Sequence, residues 1–91
     1  MKSQTSLITS DSKRIAKRLV NHWKHKFEVA ESETEFRIFM PTATVILTPL
    51  AESLTAEIDS NLDDHSHLEN VVLDHLNRMA QQEFEVVWSH I

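Results

Sequence analysis

The chain has 91 residues, no glycine, no cysteine and a formal net charge of −5. That length makes one domain, spanning 1–91, near the lower end of what folds alone, and 41% apolar residues are enough for one core but not two. Without cysteine there is no disulfide and no thiolate chemistry. Without glycine there is no Walker loop and no dinucleotide fingerprint, since both need bare backbone against phosphate.

No run of about eighteen apolar residues occurs, so no membrane span is expected. Met1 to Ser12 has one lysine and no apolar block, so it does not read as a secretory signal. The expected location is the cytoplasm. Charge is unevenly spread. Residues 1–27 hold seven of the nine Lys/Arg against Asp11 alone, while residues 28–91 hold thirteen of the fourteen acids. An acidic body argues against nucleic acid as a partner.

Thr5 to Thr9 is short and β-prone and reads as an edge strand. Ser10 or Asp11 is placed to cap a helix running to about His25. Its apolar positions Ile15, Ala16, Leu19, Val20 and Trp23 share one face, and Lys13, Arg14, Lys17, Arg18 and Lys24 take the other. Four strand-like runs follow. Phe27 to Glu31 alternates, and Ser32 to Thr34 turns the chain. Glu35 to Met40 puts Phe36, Ile38 and Met40 on one face and Phe39 on the other. Thr42 to Thr48 is dense in β-branched residues and predicts a central strand. After a turn at Pro49 to Ala51, Ser53 to Ile58 points Leu54, Ala56 and Ile58 inward.

Asp59, Ser60 or Asn61 is placed to cap a second helix, about Leu62 to Gln81, with Asp63 and Asp64 in its first turn. Its apolar arc holds Leu68, Val71, Val72, Leu76 and Met79. His65 and His75 fall within that arc and His67 outside it. A last strand is expected over Phe84 to Trp88. The fold class is therefore α+β, in the order β-α-β-β-β-β-α-β. It predicts a mostly antiparallel sheet with both helices packed on one face.

Leu19-x-x-His22-Trp23-x-His25-Lys26 on the first helix, and His75-Leu76-x-Arg78-x-Ala80-x-x-Glu83 followed by Trp88, carry a resemblance over Leu7 to Trp88. The chain resembles a small bacterial family of domains of unknown function, numbered 2218. It departs from that pattern where Ala43 replaces a glycine and Gln82 an arginine, and where Met79 and Gln81 stand for phenylalanine. The resemblance implies an α+β domain with no established activity. Because relatives occur beside or fused to siderophore-interacting flavin reductases, it also implies a link to iron or siderophore metabolism.

The candidate ligand-binding residues are His22, His25, Lys26, His75, Arg78 and Glu83. His22 and His25, three apart on a helix, can bring their rings together and form a metal pair or, with Lys26, an anion site. The plainer reading is one boundary histidine and one solvated histidine, since a metal site needs a third or fourth ligand. His75 lies within an apolar arc. If the helices pack side by side it meets His22, and the two become metal candidates, with Glu83 or Asp74 nearby. Its plainer reading is a core histidine satisfied by one hydrogen bond. Arg78 and Glu83 can also pair structurally, and Trp23 and Trp88 read as core. His65 and His67, two apart on a helix, point apart and read as a solvated helix start. His90 reads as terminal and mobile.

Three functions fit these residues. One is a non-enzymatic binding or accessory domain, homodimeric, for an anionic small ligand or a siderophore-related partner. Another is a small metal- or proton-dependent enzyme using His22, His75 and Glu83. The third is a purely structural interaction module. No cofactor is indicated by the residues themselves.

Overall fold

The computed structural model describes residues 2–61 and 66–90. In chain order the elements are β1 (Lys2–Ile8), α1 (Ser12–Trp23), β2 (Glu28–Glu31), β3 (Phe36–Phe39), β4 (Ala43–Pro49), β5 (Ser53–Ser60), α2 (Ser66–Ala80) and β6 (Ser89–His90). This is the expected α+β order. The sheet runs β2-β3-β4-β5-β1-β6, antiparallel at every pairing.

Alternation along the strands decides which face is covered. Phe36 and Ile38, Ala43, Val45 and Leu47, Leu54, Ala56 and Ile58, and Leu7 are all buried on one face. Their strand neighbours point the other way and none is buried. Both helices lie on the buried side. Ile15, Ala16, Leu19, Val20 and Trp23 of α1 are buried, as are Val72 and Leu76 of α2, and all join the strand residues in one core cluster. The 3.6-residue period of α1 thus does what it predicts, leaving Lys13, Arg14, Lys17, Arg18 and Lys24 exposed.

Several expectations need correction. β1 is not an edge strand. It pairs along seven residues with β5 and at Ser3 and Gln4 with β6. The run Phe84 to Trp88 is not a strand. Phe84, Val86 and Trp88 turn inward and Glu85 and Val87 outward, but no ladder pairs them. A side chain anchors this stretch instead, with Thr5 Oγ1 donating to the Val87 carbonyl at 3.1 Å. The alternation there records burial, not sheet hydrogen bonding. α1 stops at Trp23, short of His25.

The capping expectation for α1 also changes. Asp11 holds the N-cap position of α1 without a side-chain cap bond, at φ −102° and ψ 27°. Its carboxylate takes the Arg14 guanidinium at 2.8 Å, and Ser12 Oγ donates to the Leu50 carbonyl at 2.5 Å. Asp59 and Ser60 belong to β5, where Ser60 Oγ donates to the Thr42 carbonyl at 2.9 Å. Asp63, Asp64 and His65 lie outside the described residues.

The absence of glycine shows at two turns. The hairpin between β3 and β4 has a two-residue loop, Pro41–Thr42, closed by Met40 N–H to Ala43 O at 2.8 Å and the reverse bond at 3.4 Å. Favoured two-residue hairpins need positive φ, which proline cannot adopt. α2 ends in a Schellman arrangement. Gln82 N–H donates to Asn77 O and Gln81 N–H to Arg78 O, with Gln81 at φ 56°. Glycine normally takes that left-handed position. Here a glutamine does.

Candidate site at the seam between the helices

α1 and α2 touch along their C-terminal halves, and the seam is built from rings. Trp23 closes α1. Its carbonyl accepts from both Lys26 N–H and Phe27 N–H, so the chain turns sharply and brings the Phe27 ring edge-on to the indole at 6.1 Å and 80°. Across the seam, the His75 ring sits 4.8 Å from the Trp23 ring and 5.4 Å from the His22 ring, tilted 43° and 44°. His75 is half-buried between them, while His22 faces solvent.

One hydrogen bond sets the chemistry of His75. Its Nδ1 lies 2.7 Å from the Val71 carbonyl, one turn back on α2. A carbonyl only accepts, so Nδ1 carries the proton and the lone pair of the neutral ring falls on Nε2. This is the usual preparation of a metal-ligating imidazole, with a backbone oxygen holding the other nitrogen. The spacing fits as well. At Zn–N distances near 2 Å, two imidazoles sharing one ion at a tetrahedral angle have ring centroids about 5 Å apart. The protein does not complete such a site: among the described residues no group of three or more His, Asp or Glu side chains is placed to hold a metal.

The other expected residues sort by position. His25 lies exposed in the turn after α1 and makes no ring contact with His22. α1 has already ended, so the helical three-residue spacing no longer brings the two together. Lys26 Nζ stands 5.5 Å over the Phe27 ring, a cation–π contact beside the seam. Arg78 and Glu83 form no ion pair among the described residues. Both line an open groove of about 510 Å³ with Asp74, Asn77, Arg78's neighbour Gln81, and Gln82. His22 and His75 come together, and among the described residues no metal-holding cluster adds Glu83 to them. Arg18 Nη1 donates to the Met79 carbonyl at 3.1 Å, tying the two helices near the seam.

A second histidine contact was not foreseen. His90, expected to be mobile, is held in β6. Its Nε2 lies 2.7 Å from Oε2 of Glu69, a carboxylate that is nearly buried on α2. Twenty-one positions separate the two residues, so no local spacing could signal it. The only hint was an acid, Glu69, one residue after Leu68 in the apolar arc.

The family model of an "uncharacterized protein conserved in bacteria (DUF2218)" matches residues 4–89. Among solved structures, the NMR structure of PA4090 from Pseudomonas aeruginosa is similar. It is 32% identical, the match covers 97% of this chain and 94% of that one, and the TM-score is 0.81. No curated protein matches. With nearly its whole length matched, this chain belongs to the DUF2218 family.

Proposed function

We propose that the chain is a binding or accessory domain whose ligand is an anionic chelate, held at the seam by His22 and His75. The observation that carries this reading is the pair of imidazoles 5.4 Å apart with the His75 Nδ1 already engaged. Two protein nitrogens are too few for a resident metal site, but they are enough to complete the coordination of an ion that arrives with its own donors. Lys24 and Lys26, exposed at the adjoining turn, supply positive charge for a carboxylate- or catecholate-bearing carrier. A siderophore-type carrier in the cytoplasm fits this chemistry, in line with the resemblance set out above.

The enzymatic alternative needs Glu83 beside the two imidazoles, and among the described residues no cluster of three such groups supports it. The proposed role is binding.

Trp23 is a built-in reporter. In a Trp88→Phe background it is the sole tryptophan, and its ring lies against His75. Titration with ferric citrate, a ferric catecholate and Cu²⁺ should quench it, and His75→Gln and His22→Gln should each weaken quenching about tenfold or more. If Trp23 fluorescence ignores all three probes, or if both variants quench as the parent does, the reading is wrong.

A further inference from the structure

Among the described residues, nothing covers the side of the sheet opposite the helices. We infer that it is the surface on which two copies of this chain associate, sheet face to sheet face, about a two-fold axis running along β4.

Edge pairing is blunted at both ends of the sheet. β2 is four residues long and bounded by Glu28 and Glu31, and β6 is two residues long. Short, charged edges of this kind resist strand addition. The face is a different matter. β4 is the middle of the five full strands, with β3 and β2 on one side and β5 and β1 on the other. The register places Arg37, Ile46 and Glu57 in one row across β3, β4 and β5. The next row runs Glu28, Phe39, Thr44, Asp59 and Lys2.

Symmetry turns these rows into a prediction. A two-fold axis along β4 keeps each row in place and exchanges its two ends. Ile46 then meets Ile46 once, on the axis, while Arg37 meets Glu57 of the second copy, Glu28 meets Lys2 and Phe39 meets Asp59, each of these three pairs occurring twice. An axis lying across the strands does the opposite. Passing through the row of Arg37, Ile46 and Glu57, it sets Arg37 against Arg37 and Glu57 against Glu57, and like charges at close range are costly. The charge pattern therefore selects one axis. Sheet twist splays the corners of such a packing by roughly 20–25° per strand, so the central Arg37–Glu57 pairs carry more than the outer Glu28–Lys2 pairs.

Area sets the strength. Strands rising about 3.3 Å per residue and spaced about 4.8 Å apart give this face roughly 550 Å² per copy, or about 1,100 Å² in total. That is at the lower limit for a specific interface, so the dimer is weak and concentration-dependent. The chain's net charge of −5 opposes it, and the face itself carries Arg37 and Lys2 against Glu28, Glu57 and Asp59, with Arg37 also paired to Glu35 of its own copy, so the dimer relies on the placement of these charges and not on their sum.

The test is sedimentation velocity on the full chain from micromolar to millimolar concentration, with folding of each variant checked by its amide NMR spectrum. The parent should dimerise over that range. R37E and E57R should each weaken association about tenfold or more, and the double swap R37E/E57R should restore it to within about threefold of the parent. Ile46→Arg should leave a folded monomer. A parent that is monomeric at millimolar concentration overturns the inference. So does a double swap no tighter than either single variant, or a dimer indifferent to Ile46→Arg. Tryptophan quenching at the seam is read on the other side of the sheet, so the outcome for one proposal does not decide the other.

Discussion

α2 carries a histidine contact at each of two levels, and they differ in kind. Near its N-terminal end, Glu69 meets His90, and each group satisfies the other. Near its C-terminal end, His75 meets Trp23 and His22 through ring faces, while its one hydrogen bond goes to its own helix. The first contact is closed, an acid and a base that hold β6 against the helix layer. The second leaves a ring nitrogen whose lone pair is not consumed by the contact that positions it. A histidine whose fixing bond is local and whose packing is aromatic is the better candidate for a ligand-binding role than one locked to a carboxylate.

Four variants would break or sharpen this contrast. The largest effect is expected for Trp23→Ala, which removes a nearly buried indole that packs against both His75 and Phe27. A loss of about 3–5 kcal/mol is expected in urea unfolding. A much smaller loss would mean that the seam is not what joins the helices. Glu69→Gln should cost less, about 1 kcal/mol, because its partner is half exposed. In that variant, hydrogen exchange should accelerate at Ser89 and His90 and leave the seam unchanged.

His75→Phe keeps a ring between Trp23 and His22 and removes both nitrogens. Stability should stay within about 1 kcal/mol of the parent, while metal-chelate quenching of Trp23 is lost. Parallel loss of melting temperature and binding would instead make His75 a structural residue. The smallest effect concerns the turn that ends α2. Gln81→Gly should stabilise by about 0.5–1 kcal/mol, since glycine takes a positive φ without steric penalty. Destabilisation there would show that the glutamine side chain has a role the turn geometry does not reveal.

Much of this arrangement was legible from local pattern. The inward residues of β3 and β5 were correct, as was the buried arc of α1, because side-chain periodicity is fixed by backbone geometry. His75 was legible for the same reason, and its meeting with His22 followed from placing both helices on one face. Other features depended on distant partners. β1 reads as an edge by its length and composition, and only its seven-residue ladder with β5, some fifty positions on, places it inside the sheet. Phe84 to Trp88 alternates as a strand does, but nothing in the run says whether a ladder awaits it. Glu69 is an ordinary acid until His90 arrives beside it. α1 ends two residues before the pattern predicts, since Lys24 and His25 are equally acceptable in a last turn and in the turn beyond it.

The placement of β1 has a consequence for how the chain is made. Of these elements it is synthesised first, yet its main partner, β5, follows only after α1 and three further strands. Until β5 is complete, the backbone groups of Lys2–Ile8 have no ladder to join. Contacts so distant along the chain slow folding, and an unpaired strand invites association with other nascent chains. Within Lys2–Ile8 only Leu7 and Ile8 are apolar, which keeps the waiting strand soluble until its late partner closes the sheet.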